Sequence, residues 1–280
     1  MSWIDAIIIA IVEGITEFLP ISSTGHMMIC QHLLGVESTP FLKAYIVNIQ
    51  FGAILSVLVL YWRKFFFLKA KNSPESMNPN EEESTLASKG RFYLKLVIAF
   101  IPAAVIGFLA GDFIDSMLEN ILVVAIALVL GGIILLFVDK WFSKISEDQS
   151  ISNSKAFKIG FFQVIAMIPG VSRSAATIIG GMVQKLSRKT AAEFSFFLAV
   201  PTMFAASAYK LLKTYHDISA ENIKMLIVGN LVAFAVAFLA IKFFIGYLSK
   251  HGFRSFGFYR IIVGVIIIGL ILSGAQLQVL

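Results

Sequence analysis

Long apolar stretches separated by short polar segments dominate this chain, and they predict membrane-spanning helices. A helix needs about 20 predominantly apolar residues to cross a bilayer. The stretches that approach this length are residues 44–62, 92–111, 121–138, 191–212, 223–248 and 258–272. The sequence therefore predicts six transmembrane helices.

Two further apolar regions are broken in the middle. Their arms are residues 4–18 and 26–34 in the first region, and 156–168 and 175–183 in the second. These arms are too short to cross a bilayer comfortably, and Pro20 and Pro169 stand in the two breaks, where proline removes a backbone donor. We interpret both regions as re-entrant helical hairpins, with a single kinked spanning helix as the alternative.

Composition and charge agree with a membrane protein and suggest its orientation. Hydrophobic residues make up 58% of the chain and charged residues only 14%, against roughly 25% charged in soluble domains. Lys and Arg are concentrated in segments 63–95 and 139–158, after the second hairpin, and at Lys250, Arg254 and Arg260 before the last span. The positive-inside rule assigns these segments to the cytoplasm.

The two broken regions lie 150 residues apart in matching register and predict an internal repeat. Glu13 corresponds to Gln163, and Ser22 corresponds to Ser172. Each half contains one hairpin and three spans, and because three is odd the halves have inverted topology. The predicted fold is an all-α polytopic membrane protein with six transmembrane helices and two re-entrant hairpins in an inverted repeat.

The predicted domain organisation is a single membrane domain over residues 1–280. The repeats cover approximately residues 1–111 and 156–274, and residues 119–138 complete the first half. Residues 72–90 contain an acidic run and two prolines, which predicts a mobile cytoplasmic loop.

Both breaks carry hydroxyl groups directly before a helix. Ser and Thr at such positions are typical helix caps, and capping explains one serine per turn. It does not explain three consecutive hydroxyls at Ser22, Ser23 and Thr24, or Arg173 in the second turn. Because helix N-termini attract anions and Arg suits phosphate, the two turns predict a site for a multiply charged anion.

The first broken helix also carries two carboxylates. Glu13 and Glu17 are four residues apart, so they share one helix face. Two close carboxylates need a divalent cation or a shared proton between them; a backbone-bonded structural Glu is the third interpretation. His26 can act as a general base, a general acid or a nucleophile, or be a structural hydrogen-bonded residue.

At these residues the chain resembles a known family. The runs EGITEFLPISSTGH, starting at Glu13, and PGVSRSAAT, starting at Pro169, are similar to the two signature motifs of the undecaprenyl-diphosphate phosphatase, or bacitracin-resistance, family. The resemblance extends over essentially the whole chain. It implies an enzyme that removes the terminal phosphate from undecaprenyl diphosphate, the lipid that carries cell-wall precursors.

The resemblance also implies roles for individual residues. The catalytic candidates are Ser23, His26, Glu17 and Glu13, with Ser23 as the nucleophile and the two glutamates as ligands of a divalent cation, Mg²⁺ or Ca²⁺. The substrate-binding candidates are Arg173, Ser172, Ser174, Thr177, Ser22, Thr24 and Gly170.

The expected partners are the polyprenyl diphosphate substrate and the lipid bilayer, with no nucleic acid; a homodimer stays open. The expected location is the bacterial cytoplasmic membrane, with the site facing outside.

Because residues 23 and 26 share a face at a helix start, we expect His26 to exchange the proton of Ser23. The alternative function is a transporter or flippase of a lipid or small anion, since broken helices in inverted repeats are typical of transporters.

Overall fold

The computed structural model describes residues 1–66, 85–118, 120–214 and 220–274, and within these ranges the regular structure is entirely helical. The helices are α1 Trp3–Thr16, α2 Ser23–Leu34, α3 Pro40–Leu60, α4 Trp62–Phe66, α5 Thr85–Leu109, α6 Gly111–Leu118, α7 Ile121–Trp141, α8 Asn153–Ile165, α9 Arg173–Val183, α10 Arg188–Thr214, α11 Ala220–His251 and α12 Arg254–Leu272.

Six of these helices are long and apolar enough to cross a membrane, which confirms the prediction. The candidate spans are Pro40–Leu60, Lys89–Leu109, Ile121–Trp141, Arg188–Lys213, Asn222–His251 and Arg254–Leu272. Each contains most of one predicted apolar stretch and extends beyond it at one end or both, because polar residues at the membrane boundary continue the helix. The helices α5 and α10 run through Pro102 and Pro201 without a break.

The two regions predicted to be broken are pairs of short helices. α1 and α2 have 14 and 12 residues, and α8 and α9 have 13 and 11, all short of the roughly 20 needed for a span. The second helix of each pair follows a serine with positive φ, at Ser22 (φ 70°, ψ 101°) and Ser172 (φ 73°, ψ 116°). A non-glycine residue rarely has a positive φ; among the described residues the only other one is Lys185, and the two serines lie 150 residues apart.

Packing between the two halves of the chain follows a reciprocal pattern. The helix α1 packs on α11, and α8 packs on α5; α3 packs on α10, and α7 packs on α12. The α7–α12 contact is close because Gly132 and Gly257 face each other's carbonyl oxygens, and a Cβ on either glycine would lie 2.8 Å from the opposite oxygen. The two broken pairs therefore sit among spans contributed by both halves.

Two helices and one boundary differ from the sequence prediction. The short helices α4 and α6 were not predicted, and both directly adjoin a span. The predicted loop 72–90 is shorter at its C-terminal end, because α5 already begins at Thr85; residues 72–84 of that loop lie outside the described residues.

Candidate active site

The two breaks in the helices touch each other. The hydroxyl of Ser174 donates to the carbonyl of Leu19 at 2.7 Å, and the hydroxyl of Ser172 lies 3.5 Å from the same oxygen. Leu19 belongs to the turn between α1 and α2, whereas both serines start α9. The predicted meeting of the two hydroxyl-rich turns is therefore observed as direct hydrogen bonding.

Glu17 is the centre of the cluster that these turns form. Its Oε2 accepts a hydrogen bond from the Ser23 hydroxyl at 2.7 Å, and its Oε1 lies 3.2 Å from Nη2 of Arg173. The side chains of Arg173 and Glu17 are only 13% and 8% exposed, so this ion pair is largely withdrawn from solvent. One carboxylate thus joins the candidate nucleophile of the first turn to the cation of the second.

Arg173 makes two further contacts, and its Nε is unpartnered. Its Nη1 donates to the carbonyl of Ser195 at 3.2 Å, and its guanidinium carbon lies 5.8 Å from the ring centre of Phe18. Its Nε is buried and has no hydrogen-bond partner. Buried donors are nearly always paired, so this N–H is available to an anion.

His26 has two hydrogen-bond partners, and neither is Ser23. Its Nδ1 lies 2.7 Å from the carbonyl oxygen of Ser22, and its Nε2 lies 2.7 Å from the hydroxyl of Tyr259. A carbonyl can only accept, so Nδ1 carries the proton and, in the neutral ring, Nε2 accepts from the phenol. The expected Ser23–His26 pair is not formed, because the Ser23 hydroxyl turns toward Glu17.

Glu13 is fully buried, and neither of its carboxylate oxygens has a hydrogen-bond partner. It lies one helical turn before Glu17, whose backbone N–H donates to the Glu13 carbonyl at 3.0 Å. The two carboxylates therefore share a face as predicted. A buried polar group without partners is costly, so Glu13 requires a proton or a ligand.

Of the remaining hydroxyls, those of Thr177 and Ser172 are engaged in holding the second turn. Thr177 bonds to the Arg173 carbonyl at 2.8 Å and to the Ser195 hydroxyl at 2.6 Å, and Ser172 accepts from the backbone of Ala175 as an N-cap. Ser22 is buried at the N-cap of α2, and its side chain makes no capping hydrogen bond. Thr24 is half-buried beside it.

Comparison with known proteins shows the family of the chain. The family model described as bacitracin resistance protein BacA matches residues 6–266. The chain belongs to this family. A Porphyromonas gingivalis protein named undecaprenyl-diphosphatase is 53% identical over 284 residues, covering 100% of both chains. A Bdellovibrio bacteriovorus protein of the same name is 50% identical, and the match covers 99% of both chains. An Aquifex aeolicus protein of the same name is 43% identical, and the match covers 94% of this chain and 96% of the relative.

Sequence analysis missed two residues at the centre of this BacA-family chain, Tyr259 and Arg260. Arg260 was assigned to a segment before the last span, but it lies within that span, Arg254–Leu272, and its side chain is fully buried. Its guanidinium contacts carbonyls of both turns and of α7. One signal was present: the apolar stretch already begins at Phe258, and no charged residue follows Arg260.

Gly170 also has a packing role. Its φ is 90°, and a Cβ at this position would lie 2.5 Å from the carbonyl oxygen of Val124 on α7. Both facts require glycine, and they bring the second turn directly against α7. The glycine of the proline–glycine pair at residues 169–170 is thus explained by its backbone conformation and close packing.

Proposed function

We propose that this chain is an integral membrane phosphatase that hydrolyses undecaprenyl diphosphate to undecaprenyl phosphate and inorganic phosphate. Full-length relatives at 43–53% identity are named for this activity. The observation that carries the proposal in this chain is the cluster of Ser23, Glu17 and Arg173: a hydroxyl bonded to a carboxylate that also contacts a guanidinium. Such a cluster unites a nucleophile, a base and a phosphate clamp.

In the first step, the Ser23 oxygen attacks the terminal phosphorus and Glu17 takes the hydroxyl proton. The bond from phosphorus to the bridging oxygen breaks, and its electron pair leaves with undecaprenyl phosphate. Arg173 binds the phosphate oxygens through its guanidinium, whose buried Nε is unpartnered. A planar guanidinium suits this task because it can form two parallel hydrogen bonds to phosphate.

In the second step, water attacks the phosphoserine and gives up a proton, the bond between phosphorus and the Ser23 oxygen breaks, that oxygen takes back the proton held by Glu17, and inorganic phosphate leaves. His26 lies one turn into the same helix and delivers or removes protons through Nε2, which Tyr259 occupies in the resting site. Direct attack by His26, or by water without a covalent intermediate, is the competing chemistry. Trapping of a phosphoserine distinguishes the routes.

We further propose that Glu13 and Glu17 hold a divalent cation, Mg²⁺ or Ca²⁺. The unpartnered oxygens of buried Glu13 fit this role, and Glu17, whose two oxygens each have one partner, would bind the cation through a remaining lone pair. Among the described residues no group of three or more acidic, His or Cys side chains could hold an ion. Glu13 and Glu17 would supply the protein ligands, and diphosphate oxygens would supply others, as is typical of Mg²⁺. A bound cation would neutralise charge on the diphosphate.

The finer topology is part of the same proposal. Both broken pairs are re-entrant hairpins, and the two halves form an inverted repeat within one membrane domain. The matching positive φ at Ser22 and Ser172 supports this, as does the reciprocal packing of α1 on α11 and α8 on α5. The protein lies in the bacterial cytoplasmic membrane with its site open to the outside.

Transport is the competing function for such broken helices. A translocation site requires charge complementarity to its anion but no nucleophile. The hydrogen bond from Ser23 to Glu17 supports hydrolysis, because it polarises a hydroxyl that transport does not use.

The test is phosphate release from undecaprenyl diphosphate by the purified protein. Arg173→Ala should abolish release, and Arg173→Lys should leave it strongly reduced, because lysine keeps the charge but loses the fork. The matched control is Arg63→Lys, which changes an exposed arginine of α4. Near-normal release by folded Arg173→Ala would exclude this arginine, and no release by wild type would reject the function.

A further inference from the structure

Arg260 uses its entire hydrogen-bonding capacity on backbone carbonyls. Its Nε donates to Leu128 at 3.3 Å; Nη1 donates to Pro20 at 3.1 Å and Val171 at 2.9 Å; Nη2 donates to Ala127 at 3.1 Å and Gly170 at 2.8 Å. A guanidinium has five N–H groups, so every donor has one acceptor. The charge is fully buried, and none of the ion pairs within the described ranges includes it.

The five carbonyls come from three separate parts of the chain. Pro20 belongs to the first turn, Gly170 and Val171 belong to the second, and the other two lie on α7. The two turns end at Ser22 and Ser172, whose positive φ is rare for residues with a side chain. Such backbone persists only where the surrounding structure determines it, and within the described part of the chain Arg260 is the one group bonded to both turns and to α7.

The neighbouring helix is shaped to admit this guanidinium. A Cβ at Gly131 on α7 would lie 2.3 Å from Nη2 of Arg260 and 2.8 Å from its Cζ. Alanine is the better helix former, so glycine here is explained by the space that the guanidinium occupies. The position of Arg260 is therefore fixed by its bonds and by the absence of a side chain opposite it.

We propose that Arg260 is a positioning residue that sets the distance between the turn carrying Ser23 and the turn carrying Arg173. It does not contact the diphosphate, because its five donors are taken. It acts through the peptide units before the two N-caps. Without its guanidinium, five buried carbonyl oxygens would face one another with no hydrogen-bond donor between them. This inference rests on the proposed phosphatase function, whose reaction needs the nucleophile and the clamp at a fixed separation.

The first test compares Arg260→Lys with Arg254→Lys, an exposed arginine at the start of the same helix. Lysine has three donors on one nitrogen, so it cannot hold both turns and α7 together. Because a misplacement of about 1 Å can cost about 100-fold in rate, we expect kcat to fall about 100-fold for Arg260→Lys with KM nearly unchanged. A direct phosphate contact would instead raise KM.

The second test keeps Arg260 in the sequence but displaces its guanidinium. Gly131→Ala forces the guanidinium away from α7, whereas Gly269→Ala adds the same methyl group on α12 where no atom lies within 4 Å. We expect a large loss of kcat for Gly131→Ala and none for Gly269→Ala. Unchanged kcat in both Gly131→Ala and Arg260→Lys would overturn the proposal.

A third measurement does not depend on activity. Amide hydrogen exchange of the segments 17–24 and 168–174 should be faster in Arg260→Lys than in wild type and unchanged in Arg254→Lys. Unaltered exchange in both segments would contradict the positioning role even if the variant were inactive. Absence of phosphate release by wild type would reject the phosphatase function, and the exchange result would still decide the role of Arg260.

Discussion

Replacing Glu17 with glutamine removes the proposed base while keeping the size of the side chain. Glu17 makes two contacts through its two oxygens, to Ser23 at 2.7 Å and to Arg173 at 3.2 Å. Glutamine retains one oxygen as an acceptor but has no negative charge. It therefore cannot take the serine proton, and it leaves the guanidinium without its counter-charge.

The expected loss can be worked out from these two contacts. A positioned acid or base contributes about 10²–10⁴-fold to rate, which corresponds to about 2.7–5.4 kcal/mol at 1.36 kcal/mol per factor of ten. Breaking a buried ion pair by removing one partner costs about 3–5 kcal/mol of stability. Because the substituted glutamine still accepts one hydrogen bond, we expect the stability lost in Glu17→Gln to be at or below the lower end of that range.

The assay is phosphate release from undecaprenyl diphosphate, with kcat expressed per folded molecule and folding checked by melting temperature. The control is Glu193→Gln, which breaks the Glu193–Lys64 pair, whose lysine is 49% exposed. Exposed pairs contribute about 0–1 kcal/mol, so kcat of the control should stay within about threefold. If folded Glu17→Gln keeps more than about a tenth of the wild-type kcat, Glu17 is not the base and His26 takes its place.

Ser23→Ala should lose several orders of magnitude in rate while still binding substrate. Ser22→Ala should lose less, because the Ser22 hydroxyl makes no capping bond. A Ser23→Ala rate above about a tenth of the wild-type rate would exclude Ser23 as the nucleophile. Activity should collapse in EDTA and return with Mg²⁺ or Ca²⁺, whereas full activity in chelator would favour a shared proton at Glu13. In a Cys30→Ala background, cysteines at 35–40 should react with an impermeant thiol reagent from outside; labelling only from the cytoplasm would contradict the topology.

The spans were predictable because the length of an apolar stretch reports directly on bilayer thickness. The breaks were predictable for an equally local reason: Pro20 and Pro169 each stand beside a turn, where the missing backbone donor disfavours a continuous helix. These features depend on neighbours in the sequence. The same applies to Glu13 and Glu17, whose shared face follows from helical spacing alone.

The partner of Ser23 was not predictable from spacing. Ser23 and His26 share a helix face, but α1 ends at Thr16 and the chain turns back, so that Glu17 reaches the hydroxyl first. His26 is meanwhile drawn to Tyr259, more than 200 residues away. Which of two nearby groups accepts a proton depends on this tertiary path, and sequence separation carries no information about it.

The role of Arg260 was hidden for a related reason. A lone arginine near the start of an apolar helix is a typical topology signal, and the sequence offered no acidic partner for it. Its burial depends on carbonyls, which every residue has, and on Gly131 across the α7–α12 contact. Neither leaves a distinctive pattern of residue types.

The way in which the site residues are divided between the two halves of the chain favours hydrolysis over transport. Positions 150 residues apart keep the serine and its positive φ at Ser22 and Ser172, yet Ser23 corresponds to Arg173 and Glu17 corresponds to Met167. The proposed nucleophile and the carboxylate thus come from the first half and the arginine from the second. A carrier that exposes one site alternately to both faces gains nothing from this asymmetry, whereas a phosphatase uses it, because the attacking oxygen approaches in line with the leaving oxygen while the clamp binds the non-bridging oxygens.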